Sequence, residues 1–416
     1  MDNTTGKTID KIVVVMYFGL LLIDVANQLL LKIGRGFLVL LVQYLLCAYF
    51  MFFYGKKPFR RVKVHSFLIF LSFYIIEYQI FLTTNLSYNS FGVSFKIEVF
   101  QIVSLLPIVL SAIAILEKSD EDMINWMQKI LIILLVCIGI SSIFILSKDS
   151  DAAKLTATGL SNNYWFLIEY STVYGLAVAF PCLLVWVKKS KRKTRKIVFI
   201  CLMALCLFMA SFLIALIAII LGIISYIFLN FKDKLIRYGL LFIFVGILVY
   251  IFVSGKLENF LLQLASMIPV ENISLRLEEL VEFFQTGDTE GGSVSRLQMY
   301  SNSIKGWLRH PIFGNILFNN DVILSGHSTN LDLLNACGII LFVPYIMFVI
   351  NIFRFNRYKE TKKKSAVIAS FISFLFISTC NPVFSSPAIF VFYILGPTIF
   401  IGKTNLKERK ICEPLK

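Results

Sequence analysis

The run Ile197–Phe231, IVFICLMALCLFMASFLIALIAIILGIISYIFLNF, decides how this chain is threaded. It is apolar for 35 residues, too long for one membrane helix at an ordinary tilt and short for two, since a crossing takes about 20 residues. The charges around it resolve the choice. Two short helices joined near Met209–Phe212 give twelve crossings and two cytoplasmic termini, and place 30 of the 40 Lys and Arg residues on the cytoplasmic side, as positive-inside bias requires. One crossing would move Lys232, Lys234 and Arg237 outside and invert everything after them, including the cluster Arg354–Lys364.

Outward from that run, further segments able to span a ~30 Å hydrocarbon core are Ile12–Leu31, Phe37–Tyr54, Ser66–Thr83, Ile97–Leu116, Ile130–Leu146, Phe166–Val187, Gly239–Ser254, Asn335–Phe353, Ala366–Cys380 and Ala388–Ile401. With 58% hydrophobic and 16% charged residues, the expected fold is an all-α polytopic membrane protein, a single transmembrane domain over residues 1–416. The net charge of +15 lies in short loops between apolar runs, which points to topology and not to a nucleic-acid partner. The eight cysteines form no CxxC pair and mostly sit inside apolar runs, as packing residues do. Lys7, Asp10 and Lys11 precede the first apolar run, and no small-residue cleavage site follows, so a retained first helix is expected.

The longest external segment, 255–334, falls between the ninth and tenth helices and is too long for a plain connector. Leu257–Phe284 has apolar residues at helical spacing, which predicts amphipathic helix along the membrane face. Asp288–Gly292 is a turn-rich break, and Ser295–Arg309 is a second helix closed by His310-Pro311 and Gly314.

Several residues could carry chemistry. His327 precedes an apolar helix in SGHSTNLDLLNACG and, with Asn330 and Leu334, would share one helical face. An imidazole, with its pKa near ~6.5, is a natural proton acceptor; a helix-capping histidine at the headgroup level is the structural alternative. Arg296 and Arg309 lie outside, against the charge bias. A phosphate-bearing substrate would account for them, as would lipid headgroups or a solvated face. Arg276, Lys305, Arg35 and Lys32 are further phosphate contacts to consider. Asp24, Glu77, Glu98 and Glu169 lie within apolar runs, where ionisable groups face the bundle interior or an end. Glu169, near Asn162, Asn163 and Tyr164, could line a sugar cleft or bond between helices. No metal-ligand spacing occurs, and there is no Walker loop, GxGxxG or GxSxG.

Three stretches, SRLQMYSNSIKGWLRHPIFG, then GHSTNLDLLNACGI entering a membrane helix, and TATGLSNNYWF at Thr156–Phe166, resemble the bacterial O-antigen ligase and polysaccharide polymerase superfamily of Wzy and WaaL type. His327-Ser328 with Gly338 matches the ligase-type histidine motif up to its last position, where Leu341 replaces glycine, threonine or tyrosine. A second departure is Ala210-Ser211-Phe212, where the family often has Ser-Arg. The resemblance implies about twelve helices of GT-C-like type and a metal-independent, cofactor-free glycosyltransferase of the bacterial cytoplasmic membrane. Donor and acceptor would be oligosaccharides on undecaprenyl pyrophosphate, with membrane lipids, a chain-length regulator and a flippase as partners. It also implies His327 as base and Arg296 as pyrophosphate contact, with Arg309, Arg276, Asn330, Asn163, Glu169 and Arg35 binding substrate. A repeat-unit polymerase is the expected function. The alternatives are a ligase moving finished glycan to a surface acceptor, and a non-enzymatic flippase, against which stand the long external loop and apolar runs without internal Lys or Arg.

Overall fold

The computed structural model describes residues 120–157, 167–188, 193–231, 256–267, 292–315, 326–355, 358–384 and 386–402, with scattered positions between 18 and 116 and between 233 and 282. Every element among them is helical: α1 Glu121–Leu146, α2 Ala152–Ala157, α3 Tyr170–Lys188, α4 Lys193–Met209, α5 Leu213–Asn230, α6 Lys256–Met267, α7 Gly292–Arg309, α8 Thr329–Phe355, α9 Thr361–Cys380 and α10 Pro387–Ile401. Five of them, α1, α3, α5, α8 and α9, are long and apolar enough to cross a membrane. The chain is an all-α polytopic membrane protein. The spans expected before Leu116 and at Gly239–Ser254 lie largely outside the described residues.

The long apolar run breaks where its length and flanking charges predict. α4 ends at Met209, Ser211 takes a left-handed φ of 53°, and α5 starts at Leu213. A non-glycine residue rarely adopts that conformation except to turn the chain. Here it allows the Ser211 N–H to bond the Phe208 carbonyl at 3.0 Å while the Phe212 carbonyl accepts from Ala215 at 3.0 Å, so the reversal leaves these groups paired.

Packing centres on α3, the most enclosed of the five spans, against which α4, α5, α9 and α10 all lie. Within lipid there is little hydrophobic drive between helices, so close approach by small residues matters. Gly175 of α3 faces Phe392 of α10, and Gly222 of α5 faces Ser373 of α9 and Pro181 of α3. The Ser373 hydroxyl donates to the Ala218 carbonyl at 3.0 Å, and Cys182 and Ser370 meet at 3.3 Å. The outward faces of α1 and α5 present Ile133, Ile140, Ile217 and Ile220.

Three helices extend beyond the expected spans; α9 begins at Thr361, five residues before the expected Ala366. α1 begins at Glu121 because Asp120 caps it, accepting from the Met123 N–H at 2.9 Å, with Glu121 and Asp122 in its first turn. α8 begins at Thr329, six residues before the apolar run proper, because Ser328 caps it: its hydroxyl accepts from the Leu331 N–H at 3.1 Å.

Candidate functional site

One end of the bundle gathers the start of α3, the Ser211 break, the start of α8 and the end of α9. Ile168 donates to Ser142 near the end of α1 at 2.7 Å, and Tyr170 donates from α3 to Asn381 Oδ1 at 2.7 Å. Thr329 donates its N–H to the Asn381 carbonyl at 3.2 Å, and its hydroxyl accepts from the Val383 N–H at 2.8 Å. Phe212 packs edge-on against Tyr170, ring centroids 5.8 Å apart. At the position where the resemblance leads one to expect arginine, the chain therefore carries an aromatic ring in a cluster with Tyr170 and Tyr174.

Over this end lie α7 and α8, side by side and running in the same direction. Tyr300 of α7 reaches the end of α9 and the backbone ahead of α8: its hydroxyl donates to the Cys380 carbonyl at 2.8 Å and lies 3.4 Å from that of His327. Ser303 donates to Asp332 Oδ1 at 3.0 Å, and the Gly326 N–H donates to Asp332 Oδ2 at 2.9 Å. Asp332, 5% exposed, thus clips the histidine-bearing loop to α7 through both of its oxygens. A buried carboxylate needs such donors to be tolerated.

The α7–α8 contact continues into a break in α8. Gly338 has φ 65° and ψ −166°, which interrupts the helical ladder. Its neighbours' polar groups are taken up by the turn after α7: the Ile339 N–H donates to the Pro311 carbonyl at 3.0 Å, Ile340 to Ile312 at 3.2 Å, and the Asn335 carbonyl accepts from the Asn315 N–H at 2.9 Å. Three glycines make the approach close enough. A Cβ on Gly306 would strike Asn335, one on Gly314 the Ala336 backbone, and one on Gly338 the Ile312 carbonyl.

On the far side of the Ser211 break, α6 and Leu277 bury Leu261, Leu264 and Ala265 against Phe208, Leu213 and Leu216. The expected amphipathic helix is therefore present over Lys256–Met267, and it sits on the α4–α5 turn.

The sequence-derived residues fall as follows. His327 is half-buried and stands before α8, two residues ahead of Thr329, so it does not share a helical face with Asn330 and Leu334. The capping alternative for His327 also fails, because Ser328 supplies the cap. Asn330 is turned into the bundle: its Nδ2 donates to Ser378 and Thr379, each at 2.9 Å, and both hydroxyls give their own protons to the Leu375 carbonyl. Its nitrogen ties α8 to α9, while its buried Oδ1 has no hydrogen-bond partner among the described residues. Glu169 is buried, and its carbonyl accepts the Val173 N–H at 2.9 Å, so it opens α3 beside Tyr170. Position 296 lies in α7 one turn before Tyr300, about 6 Å along the axis. Arg309 is exposed at the end of α7, thirteen residues and about 20 Å along the axis from position 296. The helix does not bring those two arginines together. Arg35, Asn163 and Arg276, like the Arg296 side chain, lie outside the described residues.

Sequence reasoning passed over Tyr170, Tyr300, Ser303 and Asn381, and took Ser328 only as part of the histidine motif. Ser328, two residues after a glycine and at the head of an apolar run, carried a readable capping signal. The others meet partners 27 to 211 residues away in sequence, and no periodicity encodes such contacts.

Comparison with known families gives one domain. Residues 198–315 match the family model described as O-antigen ligase, which runs from the start of α4 through the turn that docks at Gly338. No curated protein matches the chain.

Proposed function

We propose, on the premise that this chain is a member of the O-antigen ligase and polymerase superfamily, that it joins lipid-linked glycan repeat units by glycosyl transfer at the bundle end that holds His327. The observation that carries this reading is the clip through Asp332, which fixes the His327 loop against α7 at Ser303, two turns from position 296.

In this reading the hydroxyl of an acceptor sugar, carried on undecaprenyl pyrophosphate, attacks the anomeric carbon of the donor glycan. The bond from that carbon to the donor's pyrophosphate breaks, and the pyrophosphate leaves with the electron pair. His327 takes the hydroxyl proton as the new bond forms, and the anomeric centre inverts. Arg296 stabilises the charge that gathers on the pyrophosphate; Arg35 and Arg276 are further phosphate contacts. A preorganised donor of this kind typically contributes a factor of about 10²–10³ in rate. Asn163 and Glu169 are assigned to the sugars of the substrate, and no metal enters the scheme.

The distribution of charge supports an outward-facing site. Lys188, Lys193, Arg195, Lys196, Lys362, Lys363 and Lys364 cluster at the opposite end of the bundle, where Lys188 stacks on Tyr226 and Lys196 on Trp186. That end is then cytoplasmic, in the bacterial inner membrane, and both termini are assigned to the cytoplasmic side in this reading.

A ligase reading is favoured by the description of the matching family and by the His327-Ser328 to Gly338 motif. The test is the glycan pattern of a strain lacking the gene. Loss of a polymerase leaves single repeat units on the surface acceptor; loss of a ligase leaves long chains stranded on the lipid carrier. A deletion that changes neither chain length nor attachment ends both readings.

A further inference from the structure

The second half of α7 and the turn behind it carry an apolar surface that no other part of the described structure covers. Ile304, Leu308, Ile312 and Phe313 are 41%, 62%, 56% and 45% exposed. Beside them, just past its break, α8 turns Ile339, Val343 and Met347 outward at 42%, 45% and 50%. Those three lie four residues apart on a helix long and apolar enough to cross a membrane, so they form its lipid-facing row. The backbone bonds from Ile339 to Pro311 and from Ile340 to Ile312 place the turn directly against the top of that row.

We propose that Ile304–Phe313 is a wedge seated in the bilayer, its apolar side chains among the acyl chains of the leaflet on the Ser211 side. Continuity with the α8 row identifies the occupant as lipid. Water would leave an apolar strip exposed beside a membrane helix, and the exposed Lys305 and Arg309 within it have long apolar stems that carry their charges up to the headgroup plane. Trp307 keeps its indole N–H on the Pro311 carbonyl at 3.2 Å and so spends no polar group in lipid.

This wedge deepens the reading of the site as a glycosyl-transfer centre, because it fixes the depth at which chemistry occurs. Tyr300, whose hydroxyl lies 3.4 Å from the His327 carbonyl, is one turn above Ile304, the first residue of the wedge, about 6 Å along α7. The headgroup layer is about 5–8 Å thick on each side. His327 then stands within the headgroup layer, at the level of the phosphates of a lipid-linked glycan.

The test is photo-cross-linking of the full chain in nanodiscs of phosphatidylethanolamine and phosphatidylglycerol, with p-benzoylphenylalanine placed at Leu308, Ile312 or Phe313 in separate variants. Val343 serves as the lipid-facing reference and Asn302, exposed on α7, as the aqueous one. Lipid adducts read by intact mass should form at the three wedge positions as readily as at Val343 and several-fold more than at Asn302. Yields at the Asn302 level, or an adduct with the mass of a second chain, overturn the wedge. Because the readout is location and not product, its failure leaves the glycosyl-transfer reading standing, and a failed glycan assay leaves the wedge standing.

Discussion

Ser303 and Asp332 face each other from neighbouring helices, hydroxyl to carboxylate at 3.0 Å, and the second carboxylate oxygen holds the Gly326 N–H at 2.9 Å. The pair joins the helix that bears position 296 to the loop that bears His327, so it governs the spacing of the two groups assigned to catalysis.

Asp332→Ala should therefore slow polymer formation about 10²-fold through misplacement of reacting groups, with the protein still present in the membrane. Asp332→Asn should restore most of the rate. Its amide oxygen can keep the Gly326 N–H while the Ser303 hydroxyl turns to accept from the amide nitrogen. Initial rates with purified enzyme and lipid-linked repeat unit decide it; equal loss in both variants would remove the positioning role.

His327→Ala and Arg296→Ala should each abolish elongation, by about 10²–10⁴-fold for a lost general base and 10²–10³-fold for a lost oxyanion-type donor. Arg309→Ala should keep the ladder, since Arg309 stands far from position 296 along α7. Gel profiles of the surface glycan in complemented deletion strains make the comparison, and a full-length ladder from His327→Ala would remove that residue from the mechanism.

Gly338→Ala should detach the turn after α7. The residue sits in a region of backbone conformation that is nearly glycine-only, which costs about 1–3 kcal/mol for other residues, and its new methyl would press on the Ile312 carbonyl. A lower melting temperature and faster proteolysis within 292–315 are expected. Gly246→Ala, at a site with nothing within 4 Å, is the neutral comparison.

Ser211→Gly should hold or raise stability, because φ 53° costs a side-chain-bearing residue about 1–2 kcal/mol that glycine does not incur. Ser211→Val should lower it by a similar amount or more. Thermal unfolding in detergent orders the three chains, and Val above Ser would contradict the strained turn.

Some of this architecture is written locally and some is not. The break at Met209–Phe212 was legible because run length and loop charge are properties of contiguous sequence, as were α7 and the spans α9 and α10. The parallel seating of α7 on α8 was not. It depends on Tyr300, Ser303 and Asn315 reaching partners remote in sequence, and on three glycines whose use shows only once two backbones meet. Asn330 illustrates the limit on the site. Its spacing suggested a face shared with His327, whereas the cap at Ser328 starts the helix later and turns the amide toward Ser378 and Thr379.

The bonds that knit residues 311–315 into the interrupted α8 bear on how substrates come and go. Three backbone pairs there would have to part before the turn could swing, and in an apolar medium each is worth about 4–6 kcal/mol. That corner has no hinge. If the proposed glycosyl transfer takes place at this end of the bundle, whatever gate admits its substrate must pivot elsewhere, over a floor that stays still.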